Sequence, residues 1–223
     1  MKLDDAYANA PYIPNANRYL ERWPASAAAF RTNLGARAET DVSYGPSVRQ
    51  AFDLFRSAAT ARGTLIFVHG GYWLRFGKGD WSHLAAGGLA SGWNAAHLGY
   101  DLCPEVRISD ITRQIAAGVT AVAARTEGPI SLAGHSAGGH LVSRILAPGL
   151  LSPEVRDRIV AVAPISPVAD LRPLLETSMN ADFKMTLTDA EAESPVLQPP
   201  PDVPVRLWVG ADERPAFITQ CDE

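Results

Sequence analysis

Cysteine is scarce in this sequence, a basic surplus and long apolar runs are missing from it, and each lack excludes something. Two cysteines in 223 residues, Cys103 and Cys221, make no disulfide framework and fit a reducing, cytoplasmic setting. Lys and Arg number 20 against 24 Asp and Glu, a net charge of -4, so neither nucleic acid nor an anionic membrane is expected as a principal partner. No stretch approaches the roughly 18 apolar residues of a membrane span, and the N-terminal MKLDDAYANAPY lacks the apolar core of a signal peptide. Histidine is scarce too: there are five, His69, His83, His97, His135 and His140, and none follows residue 140. What is present is an ordinary globular composition, 47% apolar and 20% charged. The length suits one domain, 1–223, at about 100–200 residues per domain.

Residues 1–24 are polar, carry Pro11, Pro14 and Pro24, and read as an extended arm. Ala25 to Leu34 is alanine-rich and suits a short helix, so 1–34 reads as an arm followed by a helix. Two alternating stretches, Glu39–Tyr44 and Gln50–Arg56, flank Gly45-Pro46-Ser47 and predict a hairpin at a sheet edge. From Thr64 the pattern changes to short apolar runs separated by helical spacing. Thr64–Val68, Trp93–Leu98, Pro129–Ala133, Ile159–Ala163 and Val205–Val209 read as strands. Between them, Ile108, Ile111, Ile115, Val119 and Val122 mark a helix over 108–126, and 138–146 reads as another. Trp81–Leu89 suits a further helix, and Pro199-Pro200-Pro201 a loop. Strands alternating with helices predict an α/β fold, a mostly parallel central sheet with helices on both faces. In such sheets the chemistry gathers at the C-terminal ends of the strands.

Three of those strand ends carry chemistry. Gly134-His135-Ser136-Ala137-Gly138 lies between a strand and a helix, the setting of a nucleophile elbow. The sharp turn lifts the Ser136 hydroxyl above the sheet, needs small neighbours, and aims the Ala137 amide at the same spot. His69-Gly70-Gly71-Tyr72-Trp73 ends the first buried strand. Gly70 and Gly71 are the candidate second donors of an oxyanion hole, since glycine lets backbone approach a substrate. Tyr72 and Trp73 either line the pocket mouth and bind substrate or simply pack. Gly210-Ala211-Asp212-Glu213 follows the last strand. Asp212 is the better candidate acid, because a short carboxylate just past a strand end is held rigidly; Glu213 is the fallback, and a solvated turn the bland alternative. No residues cluster with metal-ligand spacing, and neither metal nor cofactor is expected.

With these residues in place the sequence resembles the α/β-hydrolase superfamily, and within it the kynurenine formamidase (arylformamidase) branch and its neighbouring esterases. The resemblance rests on HGGYW at 69–73, Tyr100-Asp101-Leu102-Cys103-Pro104, GHSAGGH at 134–140 and GADE at 210–213. It extends to Ser178-Met179-Asn180 and Ser194-Pro195, and departs from the HGGG of many esterases by placing aromatics after two glycines. It implies a serine hydrolase of small aryl formamides or carboxylic esters, N-formylkynurenine giving kynurenine and formate. Ser136 would be the nucleophile, Asp212 would orient an imidazole, and Gly71 and Ala137 would hold the oxyanion.

The order of the triad in this fold is serine, acid, histidine, and here no histidine follows Asp212. The few residues beyond it cannot hold a helix of about 11–12 residues and a strand of about 5–6, which would normally precede the histidine loop. The expectation is a fold truncated at its C-terminus, with activity impaired for want of a base. None of the five histidines is expected to substitute. His135 should point away from the hydroxyl, His140 runs down its helix, His97 sits in a buried strand, His83 lies on a separate helix, and His69 shapes the oxyanion loop. The alternatives are a non-catalytic relic that binds a small aromatic ligand, and a general carboxylesterase. Val205–Val209 would then be an uncovered edge, inviting aggregation or a homo-oligomer.

Overall fold

The apolar run at 64–68 forms the centre of the fold, and its backbone positions everything near Ser136. In the computed structural model, which describes residues 2–222, the strands are Ala38–Ser43 (β1), Ala51–Phe55 (β2), Thr64–Val68 (β3), Asn94–Leu98 (β4), Ile130–His135 (β5) and Ile159–Ile165 (β6). They make one sheet in the order β1-β2-β4-β3-β5-β6. β3 is parallel to both β4 and β5, and β5 is parallel to β6. β1 and β2 form the antiparallel edge hairpin that the alternating stretches predict.

The helices are Asn17–Leu34 (α1), Ala85–Ala90 (α2), Ile108–Arg125 (α3), Ala137–Arg144 (α4), Pro153–Arg156 (α5), Asn180–Phe183 (α6), Leu187–Glu193 (α7) and Pro215–Asp222 (α8). α3 forms where the apolar spacing places it, and Ile108, Ile111, Ile115, Val119 and Val122 are all buried. Each such side chain contributes about 1.5–3 kcal/mol when withdrawn from water. The Asp110 carboxylate accepts the Arg107 amide at 3.0 Å and closes the first turn of α3. No helix among the described residues is long and apolar enough to cross a membrane.

Three elements differ from expectation. The arm is extended over less of its length than its prolines suggest. Ala10–Tyr12 is a 3-10 turn, α1 begins at Asn17, and Pro24 lies inside the helix. An interior proline costs about 3 kcal/mol. Packing offsets it: Trp23 lies 4.6 Å from Trp81 and 6.2 Å from Phe76, and Phe30 lies 5.5 Å edge-on to Phe55, all between ring centroids. The expected helix at 81–89 divides into a 3-10 turn, Lys78–Leu84, followed by α2.

The third correction concerns the segment 205–209, which is not a continuous strand. It lies parallel beside β6 and pairs only at Val162 with Val205 and at Ile165 with Trp208. Pro164 of β6 has no N–H to give between those two bridges, and Val205, Leu207 and Trp208 are 40%, 49% and 66% exposed.

Candidate active site

Register delivers two loops to one point. Val68 at the end of β3 pairs with Gly134 of β5, while Gly134 and His135 pair with Pro164 and Ile165 of β6. The chain therefore leaves β3 and β5 side by side, at the C-terminal edge of the sheet.

At the end of β5 Ser136 adopts φ 55° and ψ -118°, a left-handed conformation that costs a non-glycine residue about 1–3 kcal/mol. Its N–H donates to the Ile165 carbonyl at 2.8 Å, and its carbonyl accepts the His140 N–H at 3.0 Å, the first bond of α4. The amide of Ala137, the first residue of α4, precedes that bond and has no partner within the helix. The flanking glycines are required by space. A Cβ on Gly134 would stand 2.2 Å from the Gly138 carbonyl oxygen, and one on Gly138 would stand 2.0 Å from that of Val68.

The loop after β3 presses directly on this elbow. A Cβ on Gly70 would lie 2.7 Å from the His135 carbonyl oxygen and 3.0 Å from the Ser136 Cβ. Gly71 has φ 114°, and Tyr72 and Trp73 follow at 53° and 57°. Three consecutive left-handed residues reverse the chain over the serine, closed by the Leu74 N–H on the Gly71 carbonyl at 3.0 Å. His69 props this loop. Its Nδ1 lies 2.7 Å from the Gly70 carbonyl, and its ring stacks on Tyr100 at 4.3 Å. The Tyr100 hydroxyl donates to the His69 carbonyl at 2.8 Å. Burial pushes the His69 imidazole down to about 4, so it is neutral at pH 7.

The two aromatics of the loop separate. Trp73 is fully buried, edge-on to His140 at 5.0 Å and to Phe183 at 5.6 Å. It packs in the core and does not reach a pocket mouth. Tyr72 is 8% exposed, and its hydroxyl donates to the Tyr7 carbonyl of the N-terminal arm at 2.7 Å.

The two candidate acids separate as well. Asp212 is exposed to solvent. Glu213 turns toward the sheet, where its Oε1 accepts the Ser166 hydroxyl at 2.5 Å and the Gly210 N–H at 2.9 Å. Ser166 follows the last residue of β6, and its N–H donates to the Trp208 carbonyl at 2.6 Å. Burial holds the His135 imidazole below its ordinary value, and the Glu213 carboxylate partly opposes that shift.

Among the described residues no histidine hydrogen-bonds to the Ser136 hydroxyl. His140 Nε2 lies 2.7 Å from the Glu193 carbonyl. His97 sits in β4 between the rings of Phe55 and Phe67. His83 lies in the 3-10 turn of 78–84. Among the described residues no group of three or more His, Cys, Asp or Glu could hold a metal ion.

Ser166, Tyr7 and Gln220 take part in this arrangement without any motif that marks them. Ser166 lies at a strand end, a position worth reading closely. Gln220 is a polar residue that shares the buried face of α8 with Phe217, three residues before it. Tyr7 reaches the site only through the fold.

Known proteins share this architecture. A family profile described as alpha/beta hydrolase fold matches residues 65–199. Kynurenine formamidase of Danio rerio is 28% identical over 159 residues, covering 70% of this chain and 54% of that protein. Kynurenine formamidase of Drosophila melanogaster is 30% identical over 188 residues, covering 77% and 63%. The chain thus spans between half and two thirds of these relatives. A solved structure from Silicibacter sp. TM1040, provisionally named a thioesterase, is 55% identical with a TM-score of 0.98, over 100% of this chain and 85% of that one. Esterase B of Lactobacillus Rhamnosis shares the fold at 21% identity and a TM-score of 0.66, over 92% and 78%. With a matching family profile over most of its length and the strand order and elbow in place, the chain belongs to the α/β-hydrolase fold family.

Proposed function

We propose that this chain acts as a serine hydrolase of small aryl formamides or carboxylic esters, with N-formylkynurenine as the formamide substrate. One observation carries the reading: Gly70 is packed against Ser136 so tightly that a Cβ would stand 3.0 Å from the serine Cβ. That approach leaves no room for a side chain, and it brings the backbone of the glycine loop against the nucleophile. The names of the Danio rerio and Drosophila melanogaster relatives support the formamide.

The chemistry follows from the groups present. Ser136 Oγ attacks the formyl or acyl carbonyl and its proton passes to an imidazole. The carbonyl oxygen becomes an oxyanion that the amides of Gly71 and Ala137 receive, each donor lowering the barrier by about 2.7–4 kcal/mol. The amine or alcohol leaves with the proton, and water then releases formate or another acid from Ser136. Glu213, rather than Asp212, is the carboxylate we assign to orient the imidazole. Its two hydrogen bonds, from Ser166 and Gly210, fix it at the sheet edge, whereas Asp212 faces water. None of the five histidines is placed to take the Ser136 proton, so residues 1–223 alone are expected to retain only about 10³–10⁴-fold acceleration over water.

The test is labelling of Ser136 by a fluorophosphonate, with hydrolysis of N-formylkynurenine, p-nitrophenyl acetate and a short acyl thioester, in Ser136 and Ser136→Ala proteins. The thioester is included because of the Silicibacter relative's name. Added imidazole is expected to raise the Ser136-dependent rate in proportion to its concentration. Absence of both labelling and Ser136-dependent turnover would leave the second reading, a non-catalytic binder of small aromatic ligands. Calorimetry with kynurenine would then test that reading.

A further inference from the structure

The hydrolase reading leaves the N-terminal arm without a role, yet the arm is tied to both loops of the site. The Tyr72 hydroxyl donates to the Tyr7 carbonyl at 2.7 Å. The Tyr7 hydroxyl accepts from Gln220 Nε2 at 3.1 Å. Gln220 in turn holds the loop after β6, with its Oε1 accepting the Ala169 and Asp170 amides at 2.6 Å each. On the acid loop, Arg214 donates to the Asp5 carboxylate at 2.7 Å, and its guanidinium lies 3.6 Å over the Tyr12 ring. The rings of Tyr7 and Tyr72 both meet Phe217 of α8 edge-on, at 6.0 and 6.4 Å. These three rings are 5%, 8% and 1% exposed, so the cluster is a packed wedge with no room for a ligand.

The oxyanion loop needs such a wedge. Gly71, Tyr72 and Trp73 are all left-handed, and conformations of that kind persist only where the surroundings over-determine them. Trp73 is fixed from the core side by His140 and Phe183, and by the Cys103 N–H on its carbonyl at 2.8 Å. Tyr72 is fixed from the other side, by the arm and by Phe217.

We propose that the N-terminal arm positions the oxyanion loop, with Tyr7 holding Tyr72, and through it the Gly71 amide, at the angle the oxyanion requires. Arg214 joins the same arm to the acid loop and Gln220 joins it to the loop after β6, so the two halves of the site are set by one segment. This inference rests on the hydrolase reading of that site.

The experiment compares Tyr72→Phe, Tyr7→Ala and Tyr7→Phe with the unsubstituted full chain. Tyr72→Phe keeps the ring and loses only the bond to the arm. It is expected to lower kcat by about tenfold to a hundredfold with KM within about twofold, the signature of a misplaced transition-state donor. Tyr7→Phe retains the carbonyl and the ring and should recover most of what Tyr7→Ala loses. Hydrogen exchange gives a readout independent of turnover. Peptides covering 69–76 should exchange faster in Tyr72→Phe and Tyr7→Ala, while those covering the β1–β2 hairpin stay unchanged. Unaltered kcat and unaltered exchange at 69–76 would overturn the proposal and leave the hydrolase reading standing. If the unsubstituted chain shows no Ser136-dependent turnover, the hydrolase reading falls. Exchange at 69–76 then decides the arm by itself, faster exchange upholding the coupling and unchanged exchange overturning it.

Discussion

Lowering the pH from 7 to 5 is expected to destabilise this protein steeply, through three imidazoles that the fold keeps neutral. Burial pushes His97 down to about 3 and His69 and His140 down to about 4. In the unfolded chain each titrates near 6.5. The folded values lie below the unfolded ones, so between these limits the unfolded state binds more protons and stability falls with pH. At pH 5 each imidazole costs about 2 kcal/mol and the three together about 6, a large part of the roughly 5–15 kcal/mol that a domain possesses. His83 and His135, also held below their ordinary value by desolvation, act in the same direction. Asp110 and Asp189 do not contribute in this window. Backbone hydrogen bonds from Arg107 and Thr186 hold them below 3.8, so their stabilisation is lost only at lower pH. Urea unfolding at a series of pH values, followed by tryptophan fluorescence, should give a slope near pH 5 of about 4 kcal/mol per pH unit, close to three protons. A slope below about 1.4 kcal/mol per unit, one proton, would refute the reasoning. His97→Leu supplies the internal control. The His97 ring lies 5.4 Å from Phe55 and 5.2 Å from Phe67, with its Nδ1 unpartnered, so an apolar replacement should cost little at pH 8. It should also remove one proton from the slope.

Gly138→Ala is expected to destabilise by at least about 1–3 kcal/mol, since its Cβ would stand 2.0 Å from the Val68 carbonyl oxygen, and to slow Ser136 labelling. Unchanged thermal unfolding would refute the packing argument. Glu213→Gln should lower the turnover of Ser136 that added imidazole stimulates by about tenfold or more and move the His135 titration, followed by NMR, to lower pH, while Asp212→Asn changes neither. The reverse pattern would return the acid to Asp212. Trp208→Lys, at a side chain 66% exposed, should leave stability within about 0.5 kcal/mol and raise the concentration at which light scattering stays monodisperse. Equal scattering by both proteins would show that this edge does not drive association.

The parts of the fold legible in the sequence are those written in local periodicity. β3 and β5 are short runs with glycine at or just beyond their ends, and α3 carries its buried face at helical spacing. The start of α1 is not legible, because Pro24 speaks against a helix and the contact that secures it, Trp23 on Trp81, joins distant parts of the chain. The segment at 205–209 misleads for the opposite reason. Its alternation of Val205, Leu207 and Val209 is that of a strand, but a ladder needs donors at the right places as well as apolar side chains. Pro164 of β6 has no N–H to give the Arg206 carbonyl, so the ladder is interrupted between its two bridges.

The site divides along the same line. Ser136, Gly134, Gly138, Gly70 and Gly71 are legible because a tight turn leaves no alternative residue, and the structure shows the contacts that enforce it. The acid is a different problem. Asp212 and Glu213 are adjacent, so side-chain direction, not residue type, decides which one faces the sheet. That direction is set by the Ser166 hydroxyl, brought by β6, and by the Gly210 amide across the turn. Under the Glu213 assignment proposed above, rigidity has another source than a short side chain: the extra methylene lets Glu213 reach the Ser166 hydroxyl beyond β6, and that bond and the one from the Gly210 amide hold it. Tyr7 extends the point. Nothing in the first residues of the chain announces a contact with Tyr72, because the contact exists only once β3 has delivered the loop and α8 has delivered Phe217 beneath both rings.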